Sequence, residues 1–169
     1  MPIVFIGVGS NLGDRKRHFE LAEAELLRLK DICAFKKSDC YKTLPVGVQG
    51  HEYYWNEVWC FETDLSPERL LAELNRIERK SGRVEKSLKR PRTLDLDILF
   101  YGEQVLKQEG LIIPHMHLHE RAFVLVPFCD LDPEWIHPEL RRSMSQLLAD
   151  HRKRDQGDWG IKKISRNEL

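Results

Sequence analysis

No apolar run in this 169-residue chain approaches the roughly 20 residues that a membrane-spanning helix needs, so no span is expected. Charge of one sign is not in excess either: 27 Lys and Arg stand against 27 Asp and Glu. A partner selected by bulk charge, whether nucleic acid or an anionic membrane, is therefore not expected. Cysteine is scarce. Cys33, Cys40, Cys60 and Cys129 form no CxxC pair, which excludes zinc-ribbon and dithiol redox readings. Residues 1–9 lack the basic start of a secretory signal, so the thiols are expected free in a reducing cytoplasm. There is no internal repeat, no GxxxxGK[ST] phosphate loop and no kinase glycine loop.

What is present suits one ordinary globular domain over residues 1–169, with 41% apolar and 32% charged residues and a polar tail over 152–169. Residues 3–8 form a short β-branched run ended by Gly9-Ser10-Asn11, which predicts a buried strand. Asp14 is placed to cap a helix in which Phe19, Ala22, Leu26 and Leu29 recur at helical spacing. A second strand is predicted over 35–43, then a loop over 44–51 containing Pro45, Gly47 and Gly50. Residues 54–63 alternate, with Asn56, Val58 and Cys60 on one face and Trp55, Trp59 and Phe61 on the other. Ser66-Pro67 signals a helix start, Leu70, Leu74 and Ile77 give it an apolar stripe, and Gly82 ends it. A strand over 93–101 completes the order β-α-β-β-α-β. That order predicts an α+β fold: a ferredoxin-like split βαβ antiparallel sheet with helices on one face. An apolar run at 123–126 and a short helix near 144–149 are additional.

The segment Thr93-Leu94-Asp95-Leu96-Asp97-Ile98-Leu99-Phe100 carries the most chemistry. On a strand Asp95 and Asp97 share one face, while Leu94, Leu96, Ile98 and Phe100 turn into a core. Two carboxylates about 7 Å apart along a strand repel unless a cation lies between them. Hard oxygen donors suit Mg²⁺, which takes one or two carboxylates and fills its shell with water and phosphate oxygens. The competing reading is a pair of solvated acids. Arg83, Lys86, Lys89, Arg90 and Arg92 lie just upstream, either as ion-pair partners of the acids or as a clamp for phosphate. His115, His117 and His119 would share one side of an extended chain, as zinc ligands do, although polar loop contacts are the simpler reading. Tyr54, Asn56 and Phe123 could line a flat slot, aromatic faces holding a planar ring whose edge the Asn amide meets.

Together these residues resemble the hydroxymethyldihydropterin pyrophosphokinase family of folate biosynthesis. The resemblance runs over roughly residues 3–138, through Phe5-Ile6-Gly7-Val8-Gly9-Ser10-Asn11, Tyr41-Lys42-Thr43-Leu44-Pro45, Tyr54-Trp55-Asn56, Pro91-Arg92-Thr93-Leu94-Asp95-Leu96-Asp97-Ile98 and Pro114-His115 to Leu125. It implies an enzyme that moves pyrophosphate from ATP to 6-hydroxymethyl-7,8-dihydropterin and releases AMP. It also implies two Mg²⁺ on Asp95 and Asp97, with Arg83 and Arg92 as catalytic arginines. ATP contacts would fall on Asn75, Glu78, Arg92, Ile98, His115 and Arg121. The pterin would meet Thr43, Pro45, Val46, Tyr54, Asn56 and Phe123. Asp97 is a candidate to take the hydroxyl proton. A monomer acting on these two small molecules in the cytoplasm, with no nucleic acid or membrane partner, completes the expectation. The chain departs from the family pattern at Glu85, Lys89 and Arg90, and at Gly110, Ile112 and Met116. Rival readings are an RNA-binding module on the same fold, which lacks an RNP1-like stretch here, a silent relative that keeps only the fold, and another ATP- and Mg²⁺-dependent transferase acting on a different heterocycle, since the slot residues alone do not name a pterin.

Overall fold

In the computed structural model the described residues are 1–43, 53–82, 93–155, 157 and 159–165. Eight strands and four α-helices are assigned among them: β1 (Ile3–Ser10), α1 (Arg15–Leu27), β2 (Ile32–Lys37), β3 (Tyr41–Thr43), β4 (Tyr54–Thr63), α2 (Pro67–Lys80), β5 (Asp95–Tyr101), β6 (Leu106–Gln108), β7 (Leu111–Ile113), α3 (Ala122–Leu131), α4 (Met144–Arg154) and β8 (Lys162–Lys163). The loop expected over 44–51 and the basic stretch 83–92 lie outside the described residues.

The main sheet has the order β5-β1-β4-β3-β8, with β2 also paired to β4, and every pairing in it is antiparallel. That is the split βαβ arrangement the element order implies. Local chemistry sets the helix ends. The Asp14 carboxylate accepts from the Arg17 amide, and the Ser66 hydroxyl from the Arg69 amide, so each side chain satisfies an amide that the first turn leaves unpaired. Pro67 opens α2, and Gly82 follows it at φ +92°, a backbone value that suits glycine.

The sheet separates two apolar layers. Val4, Ile6, Trp59, Phe61, Leu94 and Leu96 pack under α1 and α2 with Phe19, Leu26, Leu70, Leu74 and Ile77. On the other face Phe5, Val58, Leu99 and Phe100 pack with Leu125, Phe128 and Met144 of α3 and α4. Helices therefore cover both faces, where the split βαβ unit alone predicts one. Leu131 ends α3 against this second layer, and the Phe5 and Phe128 rings stack at 4.4 Å.

Boundaries and one facing differ from the sequence reading, and β5 begins at Asp95 rather than at 93. β1 continues through Gly9 to Ser10, because the pairing of Gly9 with Asn56 and of Ser10 with Trp55 extends the ladder past the glycine. The strand expected over 35–43 is two strands. At the break the Ser38 amide donates to the Val58 carbonyl and the Ser38 hydroxyl accepts from the Val58 amide, so a side chain takes a place that backbone would hold. Phe100 does not share a face with Leu96. The register with β1 passes from Ile6–Ile98 to Phe5–Phe100, which leaves Leu99 as an extra residue and turns Phe100 into the second layer. The helix near 144–149 runs on to Arg154, capped by Ser143 and Gln146 in reciprocal hydrogen bonds. Beyond it, β8 pairs with β3 and Ile164 is buried in the first layer. Among the described residues no helix is long and apolar enough to cross a membrane.

Candidate functional site

The site lies where β1 ends and β4 and β5 begin. Register brings Asp95 beside Gly9 and Asp97 beside Gly7, and Gly9 in turn lies beside Asn56. Strand alternation puts these residues on the α3 side of the sheet, because their neighbours Leu94, Leu96 and Ile98 fill the opposite layer. Asp95 and Asp97 are half-buried. Gly9 on the central strand leaves backbone without a side chain between Asp95 and Asn56, while Leu99 packs over Gly7. The sequence reading missed this floor. Its signal was glycine at positions 7 and 9 of a strand, a spacing that strips one face of side chains.

Past the glycines the sheet carries Asn56, Thr43 and Tyr54. Asn56 is buried and its amide donates to the Thr43 hydroxyl at 2.9 Å, which leaves the amide oxygen on the Gly9 side. Tyr54 pairs with Thr43 across the ladder. α3 packs over β3 and β4 and carries Phe123, an exposed ring, as its second residue. The Arg121 guanidinium sits 5.8 Å from the centre of that ring. Pro45 and Val46 lie outside the described residues.

β5 is the edge of the sheet, and the residues expected to meet nucleotide divide around it. On the α2 side stand Asn75 and Glu78. Glu78 is buried, and one carboxylate oxygen accepts from the Leu96 amide at 2.8 Å. Ile98 turns its side chain into the α1 and α2 layer, away from the acids. On the α3 side the His115 amide donates to the Leu99 carbonyl at 3.0 Å, which fastens the His115 loop to β5. Burial, and then the positive Arg121 nearby, push the His115 imidazolium down to about 4, with Asp95 acting in the opposite sense. The ring is thus neutral at pH 7. Its Nδ1 accepts from the His117 amide at 3.2 Å, which assigns the proton to Nε2, a donor available to an anion. Arg83 and Arg92 lie outside the described residues.

The three histidines do not converge. The His115 and His117 rings are 6.3 Å apart, and His119 faces His137 instead. Among the described residues no three His, Cys, Asp or Glu side chains gather as a metal cage. Two carboxylates on one strand face fit a magnesium that relies on phosphate oxygens and water for its remaining ligands.

Residues 5–133 match the family model of 7,8-dihydro-6-hydroxymethylpterin-pyrophosphokinase. The chain belongs to this family. Within it, the chain is 37% identical over 154 residues to the 2-amino-4-hydroxy-6-hydroxymethyldihydropteridine pyrophosphokinase of Haemophilus influenzae, covering 90% of this chain and 96% of that one. It is 38% identical to the pyrophosphokinase of the same name from Pseudomonas aeruginosa, over 86% of this chain and 90% of that one. The folic acid synthesis protein fol1 of Pneumocystis carinii is 40% identical over 151 residues, but the chain spans only 20% of that longer protein. A crystal structure of a Plasmodium falciparum HPPK-DHPS triple mutant superposes with a TM-score of 0.75 at 15% identity, over 96% of this chain and 46% of that one. That likeness shows the HPPK fold.

Proposed function

We propose that this pyrophosphokinase-family chain transfers the β,γ-pyrophosphoryl group of ATP to the hydroxymethyl oxygen of 6-hydroxymethyl-7,8-dihydropterin. The observation that carries the reading is the row Asp97–Gly7 and Asp95–Gly9–Asn56, which sets a diacid and a hydrogen-bonding slot on one sheet face. The products are the pterin diphosphate and AMP. The bond from the hydroxymethyl oxygen to the β-phosphorus forms as the bond from that phosphorus to the α,β-bridging oxygen breaks, and the hydroxyl proton leaves.

Each residue has a place in that reaction. Asn56, held by Thr43, meets the edge of the pterin while Tyr54 and Phe123 flank its ring. His115 Nε2 and Arg121 offer donors to the phosphates from one side of β5, and Asn75 meets the nucleotide from the other. Glu78 contributes by holding the Leu96 amide. Asp95 and Asp97 would hold two Mg²⁺, which would supply positive charge against the transferring group. Arg83 and Arg92 neutralise further phosphate charge, and Asp97 takes the hydroxyl proton. Catalysis is positioning and electrostatics with no covalent enzyme intermediate. The enzyme works as a cytoplasmic monomer on two small molecules, without a nucleic acid or membrane partner.

Asp97→Ala tests this directly. The substitution removes a metal ligand and the proton acceptor together, so pterin-dependent AMP release is expected to fall below detection while the fold persists by circular dichroism. Turnover near the wild-type rate would remove Asp97 from both roles.

A further inference from the structure

The β1–β5 ladder ends at the Gly9–Asp95 pair, so a metal-holding residue is the first residue of an edge strand. The ends of strands fray, since backbone bonds there open at low cost. Side chains take over where the backbone pairing stops. Ser10, 1% exposed, is the residue after Gly9, and its hydroxyl donates to the Thr93 carbonyl. The Thr93 hydroxyl lies 3.3 Å from the Ser81 hydroxyl, and Ser81 spends its own proton on the Glu78 carbonyl at 2.7 Å. Thr93 is therefore the donor in the Thr93–Ser81 pair. One residue beyond Asp95, the outward amide of Leu96 is taken by the Glu78 carboxylate. The backbone is thus fastened on both sides of Asp95, at Thr93 from β1 and at Thr93 and Leu96 from the end of α2.

We infer that Ser10 and Ser81 are positioning residues, whose hydroxyls hold Thr93 and so keep Asp95 in the geometry that binds the metal–nucleotide complex. This rests on the pyrophosphokinase reading for what Asp95 holds, but the fastening itself is a property of the strand end. A ligand that needs the closed strand end binds more weakly in proportion to the fraction of molecules that are open. Neither serine has to touch substrate for this to operate.

Two measurements on the full chain test it in Ser10→Ala and Ser81→Ala, with Thr93→Ser as the variant that keeps both the carbonyl and the hydroxyl. The first is amide hydrogen exchange in peptides covering 93–98. Loss of the hydrogen bond that holds Thr93 is expected to speed exchange there by about 5–30-fold, with peptides from α3 and β4 unchanged. The second is binding of Mn²⁺ with α,β-methylene-ATP, followed by water-proton relaxation, expected to weaken by about 3–10-fold while pterin affinity stays within about twofold. Thr93→Ser should match wild type in both. Unchanged exchange at 93–98 in a folded Ser10→Ala or Ser81→Ala protein would overturn the inference, as would equal loss of pterin and metal–nucleotide binding. If Ser10→Ala does not fold, Ser81→Ala decides alone. Wild type is the control for the underlying reading: no AMP from it would remove the pyrophosphokinase assignment, and the exchange result would still stand or fall by itself.

Discussion

Gly9→Val places a branched side chain on the sheet face between Asp95 and Asn56, where Gly9 leaves backbone without one. Nothing in the backbone forbids it, since Gly9 lies outside the left-handed φ region that Gly13 and Gly82 occupy. A Cβ at position 9 would sit 3.5 Å from Asn56 Oδ1 and 3.9 Å from the Trp55 carbonyl oxygen, both ordinary contact distances. Replacing a strand glycine removes the entropy that glycine loses on folding, worth about 0.5–1 kcal/mol. For a chain of this size that raises the midpoint of thermal unfolding by about 1–4 °C. Function moves the other way. The added methyl groups press on the Asn56 oxygen that is to read the pterin edge, and they fill the floor between it and Asp95. Extra methyl groups forced into a fitted space cost about 1–3 kcal/mol, which is about 5–150-fold in pterin KM. Gly9→Ala, with a single carbon, should fall at the low end. The assay is AMP release against pterin concentration at saturating ATP and Mg²⁺, beside a thermal melt. A stable Gly9→Val enzyme with wild-type pterin KM would refute the role given to the glycine floor.

Other outcomes follow from the same geometry. Asn56→Asp keeps the shape but turns the donor toward Thr43 into an acceptor; pterin KM is expected to rise by at least about tenfold with little change in ATP KM, measured by steady-state kinetics. Glu25, buried between α1 and α2, accepts from Lys80 at 2.6 Å, Arg76 at 3.0 Å and Arg28 at 2.7 Å, and Lys80 foremost pulls its carboxyl down to about 2. The depressed value means stability that is present above the usual 4.5 and lost as pH falls towards 2. Because the cations are largely exposed, Glu25→Gln should cost only about 1–2 kcal/mol at pH 7, and urea unfolding should show the gap closing below pH 4.5. His115 is half-buried and neutral, with its value pushed down from 6.5 to about 4, so the unfolded chain binds the extra proton first, and stability falls as pH drops from 6.5 to 4. After discounting for partial exposure, about 2 kcal/mol of that slope should vanish in His115→Gln, read from melts across the range.

Much of this was legible without coordinates, where the signal is local. Asp14 and Ser66-Pro67 mark helix starts through side chains that reach only three residues. The alternation in residues 93–98 put both acids on one face because strand period alone decides it. The rest depends on partners far apart in sequence. The bulge that turns Phe100 over is set by pairing with Phe5 and Ile6. The Ser10–Thr93 bond spans 83 residues, and nothing around Ser10 marks it beyond the end of an apolar run. Ile164 stands in a polar stretch that reads as tail, yet its amide bonds the Cys40 carbonyl and its side chain joins the core. The hold of Glu78 on β5 was not legible either, since the Leu96 amide it meets is 18 residues away.

The measurement that bears most directly on the account is the fate of ATP phosphates in the presence of the wild-type chain, hydroxymethyldihydropterin and Mg²⁺. ATP labelled at the γ-phosphate is expected to yield labelled pterin diphosphate, and ATP labelled at the α-phosphate to yield labelled AMP, both only when pterin and metal are present together. Labelled pterin monophosphate with ADP, or phosphate release that ignores the pterin, would contradict pyrophosphoryl transfer at this site.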